Sequence, residues 1–274
     1  MIRKIFFMLT ILPVCVATIA QNKSVITDSE KTLNTQWDGK RAAYLGDSMS
    51  DPNTKVTDKW YWQFLKELMN IDYAVYARSG LQWDGMYEKA KELIAEKKDS
   101  IDAIFIWAGT NDYNRSTIIG DFFTETIEKV NYNGTDTYRK HRTPIMTDAT
   151  FCGRINKTLS LLKGEYPDKQ IIILTPIHRG DFIGSSTNVQ PHENYANGIG
   201  LYLEEYVETL KKAGTYWSVP VIDLHALSGI FPVSDAFLPY CTSETDRLHL
   251  NARGHYRLAK TIQYQLLALP SDFQ

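Results

Sequence analysis

The sequence predicts an α/β fold, a five-stranded parallel sheet with helices on both faces, built as one domain over residues 39–274. Three observations predict it. Five short apolar runs each end in a turn signal, stretches of helical spacing separate them, and the third and fourth runs are almost continuously apolar, as parallel strands covered on both faces are.

The five runs are RAAYLGDS (41–48), DYAVYARSG (72–80), IDAIFIWAGTND (101–112), KQIIILTPIHRG (169–180) and VPVIDLHAL (219–227). After the first, KWYWQFLKELMN (59–70) sets Trp60, Phe64, Leu65 and Leu68 on one helical face. After the second, GMYEKAKELIAEKK (85–98) does so with Met86, Ala90 and Leu93. GRINKTLSLLKGEYP (153–167) leads into the fourth run. NGIGLYLEEYVETLKKAG (197–214) leads into the fifth and is expected to close at Gly214, behind Lys211 and Lys212. The last helix is NARGHYRLAKTIQYQLLAL (251–269). One region breaks the alternation. Residues 121–148 hold two β-leaning runs around NGTD, a hairpin signal, inserted after the third strand where it could serve as a site wall or lid.

The N-terminus has its own logic. Arg3 and Lys4 precede an apolar run from Ile5 to about Val16, and small residues follow to Ala20. That is the order of a secretory signal, and the run is shorter than the ~20 residues of a membrane span, so cleavage near Ala20 and export to the periplasm or beyond are expected. Cys15 offers a lipoprotein alternative, which Pro13 and Val14 fit poorly. Residues 21–38 read as a flexible lead-in. Loss of residues 1–20 removes two of the 30 basic residues and no acid, leaving 28 against 32, a balance of −4 that gives nucleic acid no basic patch. Cys152 and Cys241 either pair in an oxidising compartment or remain two buried thiols. No metal-ligand spacing and no phosphate-cradling glycine loop occurs, so neither metal nor cofactor is called for.

In open parallel sheets, ligands bind beyond the C-terminal ends of the strands. That edge should gather Ser48, Gly80 and Asn111. Near the C-terminus, in ETDRLHLNARGH, Asp246 and His249 stand three apart and share one side of a turn or helix start. A serine hydroxyl becomes a nucleophile when an imidazole takes its proton, and a carboxylate on the other ring nitrogen holds the imidazole in the right tautomer. Ser48, His249 and Asp246 supply those parts. The backbone N–H groups of Ser48 and Gly80 and the Asn111 amide suit an oxyanion hole, where each donor is worth about 3–4 kcal/mol of barrier.

GDS at 46–48, the glycine of RSG at 78–80, GTND at 109–112 and DRLH at 246–249 resemble, in order, the four blocks of the SGNH (GDSL) hydrolase family. The resemblance implies a flavodoxin-like three-layer fold with strand order 2-1-3-4-5 and ester hydrolysis through an acyl-serine. It implies Ser48 as nucleophile, His249 as base, Asp246 as its partner, and Gly80 and Asn111 beside the Ser48 N–H in the oxyanion hole. Met49 and the 121–148 insertion are departures that bear on substrate rather than chemistry. The G-x-S-x-G of a nucleophile elbow is absent, which disfavours the α/β-hydrolase alternative.

The expected activity is a secreted esterase removing acyl, chiefly acetyl, groups from carbohydrate. Lipid or lysophospholipid hydrolysis is the enzymatic rival, and a non-catalytic glycan-binding protein of the same fold is the rival of another class. Trp83, read as a loop residue three past Gly80, and His178 and Arg179, which follow the fourth strand, are the candidate substrate contacts. Trp60 and Trp107 fall on apolar faces and read as core, Asp47 as a turn-capping residue, and His255 as packed or solvated.

Overall fold

The computed structural model describes residues 34–271 and 273; the expected signal segment, its cleavage point, Cys15 and most of the lead-in lie outside them. In chain order the elements are β1 (Arg41–Gly46), α1 (Tyr61–Met69), β2 (Asp72–Ala77), α2 (Trp83–Lys97), β3 (Ala103–Trp107), the short α3 (Thr110–Asn114), β4 (Phe123–Tyr132), β5 (Thr135–Pro144), α4 (Phe151–Glu165), β6 (Gln170–Leu174), β7 (Phe182–Ser185), β8 (Asn188–Gln190), α5 (Leu203–Trp217), β9 (Val221–Ile222), α6 (Leu224–Leu227) and α7 (Ala252–Leu266).

Five strands form one parallel sheet in the order β2-β1-β3-β6-β9, the expected 2-1-3-4-5. Period-2 alternation explains why both faces are covered. Ala43, Leu45, Ile104, Ile106, Ile171 and Ile173 point to one side, into a core closed by α2, α4 and α5. Their neighbours Ala42, Tyr44, Phe105, Ile172 and Leu174 point to the other, where α1 and α7 cover them. The register leaves Gly46, Ala77, Trp107, Leu174 and Ile222 side by side as the last row of the sheet. Whatever follows each strand by a few residues must therefore gather at one edge, and the chain reverses its direction across the sheet between β1 and β3.

Several boundaries differ from the sequence reading for local reasons. α2 begins at Trp83, two residues earlier than expected. α5 starts only at Leu203, because the side chain of Asn197 accepts from the backbone of Ile199 and Leu201 and holds 197–201 as a turn. Nor does Gly214 close it: the helix packs against β9 there and runs on to Trp217, with Ser218 in the left-handed cap at φ 52°. The lead-in is packed before it ends. Trp37 is fully buried beside Phe105 and donates to the Leu266 carbonyl at 2.8 Å, while Gln36 caps the same helix end. Cys152 and Cys241 are both free and buried, and burial pushes their thiols up to about 12 and about 11.

The insertion is a hairpin, as expected, with Asn133 and Gly134 both at positive φ in a two-residue turn. Its base packs against Tyr216 at the far end of α5 and is held by Asn156 of α4, whose amide donates to the Phe122 and Ile145 carbonyls on either side of it. Among the described residues none of its hydrogen bonds reaches Ser48, Asp246 or His249. A second, shorter hairpin, β7–β8, which the sequence reading did not anticipate, packs Phe182 against the loop that carries Asp246 and His249. Among the described residues no helix is long and apolar enough to cross a membrane.

Candidate active site

Ser48 stands two residues past the end of β1 because Gly46 lets the chain turn against itself. A Cβ at position 46 would lie 2.5 Å from the Ser50 hydroxyl, so only glycine fits. Asp47 then closes the turn: its carboxylate accepts from the Met49 N–H at 3.0 Å and its carbonyl accepts from Ser50 and Asp51. Ser48 is left facing the edge, 9% exposed.

Across 201 residues of sequence, His249 Nε2 lies 2.9 Å from Ser48 Oγ. Its Nδ1 lies 2.9 and 3.0 Å from the two oxygens of Asp246, and Asp246 Oδ1 also accepts from the His249 backbone N–H at 3.0 Å. The three-residue spacing thus brings side chain and main chain onto one carboxylate. Three further contacts hold this loop. Asn251 caps α7 through Arg253 and Gly254 and donates to the Pro239 and Cys241 carbonyls, a cap worth about 1 kcal/mol. Phe182 bridges to Asp246 through its backbone and sets its ring edge-on to His249 at 5.4 Å. Ile183 donates to the Thr245 carbonyl at 2.7 Å. The sequence reading missed Phe182; its position just past HRG, where the fourth strand's exit should meet the DRLH loop, was the available signal.

The loops that carry the expected oxyanion donors are tied to the Ser48 turn. Gly80 has φ 77°, and Asp51 accepts from the neighbouring Ser79 N–H at 2.8 Å, tying the exit of β2 to the loop after β1. The backbone N–H groups of Ser48 and Gly80 make no hydrogen bond within the described residues. Asn111 is engaged: its amide donates to the Leu81 carbonyl at 3.0 Å and to Asp47 Oδ2 at 3.2 Å. To aim a proton at a bound carbonyl, that amide has to release one acceptor, and the longer bond to Asp47 is the weaker of the two.

Asp47 therefore does more than cap a turn. Complete burial pushes its carboxyl up to about 6, against the opposing pull of the Met49 N–H and the charges of His249 and Arg179. The sign follows from linkage. Between its ordinary range near 4 and about 6, only the unfolded chain ionises this group, so its contribution to stability falls as pH rises. The wild-type minus Asp47→Asn difference in unfolding free energy is expected to swing against the wild type by about 3 kcal/mol between about pH 4 and about pH 7. Denaturant titrations of both proteins across that range check it; a difference that stays flat would place the Asp47 carboxyl in water.

The three anticipated substrate contacts fare unequally. Trp83 is a correction: it opens α2 rather than lying in a loop, is 0% exposed, donates to the Ala108 carbonyl and packs edge-on to Phe151. No part of it reaches a ligand at the surface. Arg179 is 1% exposed, so it is no rim residue either. Its guanidinium donates to Thr110 and Gln190 and lies 5.5 Å over the Tyr113 ring, and burial lowers it to about 10, still protonated at neutral pH. It acts on the site from behind, next to Asn111. His178 is half-buried, paired with Glu193 and set against the His225 ring at 3.6 Å with a 35° tilt. Trp60 and Trp107 are core, and His255 is fully buried against Tyr61.

A cavity of about 10 Å³ is lined by Asp47, Met49, Trp107, Thr110, Ile177 and Arg179 among others. That is space for about one water-sized group.

A nucleophile, an imidazole and a carboxylate in hydrogen-bonded series, with the Ser48 N–H unengaged on the same residue, can carry out acyl transfer. Solved structures share the architecture. A protein from Lactobacillus plantarum matches at 24% identity and TM-score 0.65, covering 84% of this chain and 97% of its own. A possible lipase from Chitinophaga pinensis matches at 19% and 0.62, covering 82% and 97%. A catalytic mutant of an acetylxylan esterase from Geobacillus stearothermophilus matches at 18% and 0.51, covering 86% and 96%. No curated protein matches the chain in sequence. The GDSL-like lipase/acylhydrolase family model matches residues 44–257, from the strand that delivers Ser48 through the helix that follows His249, and the chain belongs to that family.

Proposed function

We propose that this protein is an exported serine esterase that removes short acyl groups, acetyl above all, from carbohydrate. The observation that carries the chemistry is the 2.9 Å contact between Ser48 Oγ and a histidine already held by a carboxylate. His249 Nε2 takes the Ser48 proton as Oγ attacks the ester carbonyl. The negative charge that develops is met by the N–H groups of Ser48 and Gly80 and by the Asn111 amide once it turns from Asp47. His249 then protonates the departing alcohol, and water activated by the same imidazole releases the acid from Ser48.

A short acyl group is supported by the small cavity of about 10 Å³ lined by Asp47 and Met49, the chain neighbours of Ser48, which suits a small group better than a fatty chain. For the alcohol side, an open cavity of about 480 Å³ is lined by Glu193, Asn194, Tyr202, Glu204 and Glu205, and Glu193 links it to Arg179 and His178. Carboxylates, an amide and an exposed tyrosine suit a hydroxyl-rich sugar better than a lipid. Export rests on Arg3, Lys4 and the apolar run up to Val16.

A chain-length series of p-nitrophenyl esters tests the reading. kcat/KM is expected to fall about 10-fold or more from acetyl to butyryl, and acetate is expected to be released from acetylated glycans. A maximum at octanoyl would overturn it in favour of a lipid acylhydrolase.

A further inference from the structure

The β4–β5 hairpin is far from the catalytic edge and both its faces are solvent-exposed: after Phe123 every residue of β4 is exposed, Ile127 by 65%. Its sheet has two strands only. Two-stranded ribbons are marginal in water, and the unpaired edge of a ten-residue strand is a template for another strand. We infer that the outer edge of β4 is the interface of a two-fold dimer of this chain, with β4 pairing antiparallel to its own copy about Ile127.

The register follows from the hydrogen-bond alternation. Asn133 and Gly134 form a two-residue turn, so Tyr132 and Thr135, which flank it, are the mutually hydrogen-bonded pair. Counting back from there, the even residues of β4 bond to β5, and the N–H and C=O groups of Phe123, Glu125, Ile127, Lys129 and Asn131 face outward. A two-fold axis can pass an odd residue, at a hydrogen-bonded pair, or an even one, at a non-hydrogen-bonded pair. Among the even ones, an axis at Thr126 sets Glu125 against Ile127 with about eight backbone bonds and no opposite-charge pair, and one at Glu128 sets glutamate on glutamate. An axis at Glu125 sets that glutamate against its copy, and one at Lys129 sets lysine against lysine. The axis at Ile127 packs the exposed isoleucine on itself and places Glu125 opposite the Lys129 of the other copy, twice. It also uses all five outward residues, for about ten backbone hydrogen bonds. The β5 edge does less well. An axis at Lys140 opposes two lysines; one at Tyr138 sets Asp136 opposite Lys140 but runs into the turn beyond Asp136, leaving about six backbone bonds against about ten. Identical patches meeting across a two-fold axis close the assembly at two chains and abolish both free β4 edges.

The test is a charge swap read by sedimentation velocity. The wild type is expected to be dimeric at about 10 μM. Glu125→Lys and Lys129→Glu should each weaken the dimer at least about 10-fold, because each creates two like-charged contacts, and the double variant Glu125→Lys/Lys129→Glu should restore it. Both side chains also pair within the hairpin, with Lys140 and Asp136, but those bridges are exposed and contribute little to folding. Circular dichroism and p-nitrophenyl acetate turnover, expected unchanged, check that each variant is folded. A wild type monomeric at about 100 μM overturns the inference. So does a dimer indifferent to the single reversals, or a double variant as weak as the singles, since either outcome puts the contact elsewhere.

Discussion

Replacing Ser48 by alanine is expected to lower kcat on p-nitrophenyl acetate by about 10⁶-fold, to the level left by binding and the oxyanion donors alone. The loss is large because no other hydroxyl takes its place. Ser50, the next serine, hydrogen-bonds to Tyr61 at 3.0 Å and is 0% exposed, turned away from His249 into the α1 side of the core. The substitution removes one oxygen from a residue at the surface of its turn and leaves the Asp47 and Gly46 contacts intact, so the far-ultraviolet spectrum and melting temperature should barely move. A variant retaining a tenth of wild-type turnover with that spectrum would sink the serine mechanism.

Asp246→Asn is expected to lower kcat by about 10⁴-fold at neutral pH, with KM changed little. Here the argument is about a proton rather than an attacking atom. Asp246 presents oxygens to His249 Nδ1 at 2.9 and 3.0 Å, which holds the ring proton on Nδ1 and leaves Nε2 with a lone pair for the Ser48 proton. An asparagine can keep its carbonyl on the His249 backbone N–H, at the Oδ1 position, and turn its amide to Nδ1. The imidazole then carries its proton on Nε2 and donates to Ser48 instead of accepting from it. Loss of the carboxylate also removes the charge that stabilises the imidazolium. The signature is a pH–rate profile whose activity returns at high pH, where serine loses its proton without help. Wild-type kcat for this variant would mean that His249 is oriented by other contacts, Phe182 foremost.

How much of this was legible in advance depends on the range of the interaction. The β-sheet was legible because a strand covered on both faces must be apolar at both parities, and IDAIFIW and QIIIL are. The grouping of Ser48, Gly80 and Asn111 was legible because parallel strands of similar length end level, so residues two to four past each end share an edge whatever the helices between them do, whereas the Asp246–His249 pair was legible from its three-residue spacing and its resemblance to a family motif. Trp83 was misread through a two-residue error in a helix start. At a loop position the indole faces ligand; as the first residue of α2 it turns into the core. Boundaries of that kind are decided by contacts such as Asp112 accepting from the Trp83 N–H, 29 residues away, which local pattern does not contain.

The amino-acid sequence by itself determined the order and type of the elements, because these depend on periodicity and on turn signals; the strand order and the grouping of Asp246 and His249 with Ser48 came from the resemblance of its four motifs to the family. Only the tertiary structure decided that Asn111 rests on Asp47, that Arg179 is buried behind the site, and that Phe182 of the short second hairpin packs on His249. Each of these rests on contacts between side chains tens of residues apart, fixed by packing at close-packed density, and no local regularity in the chain encodes it.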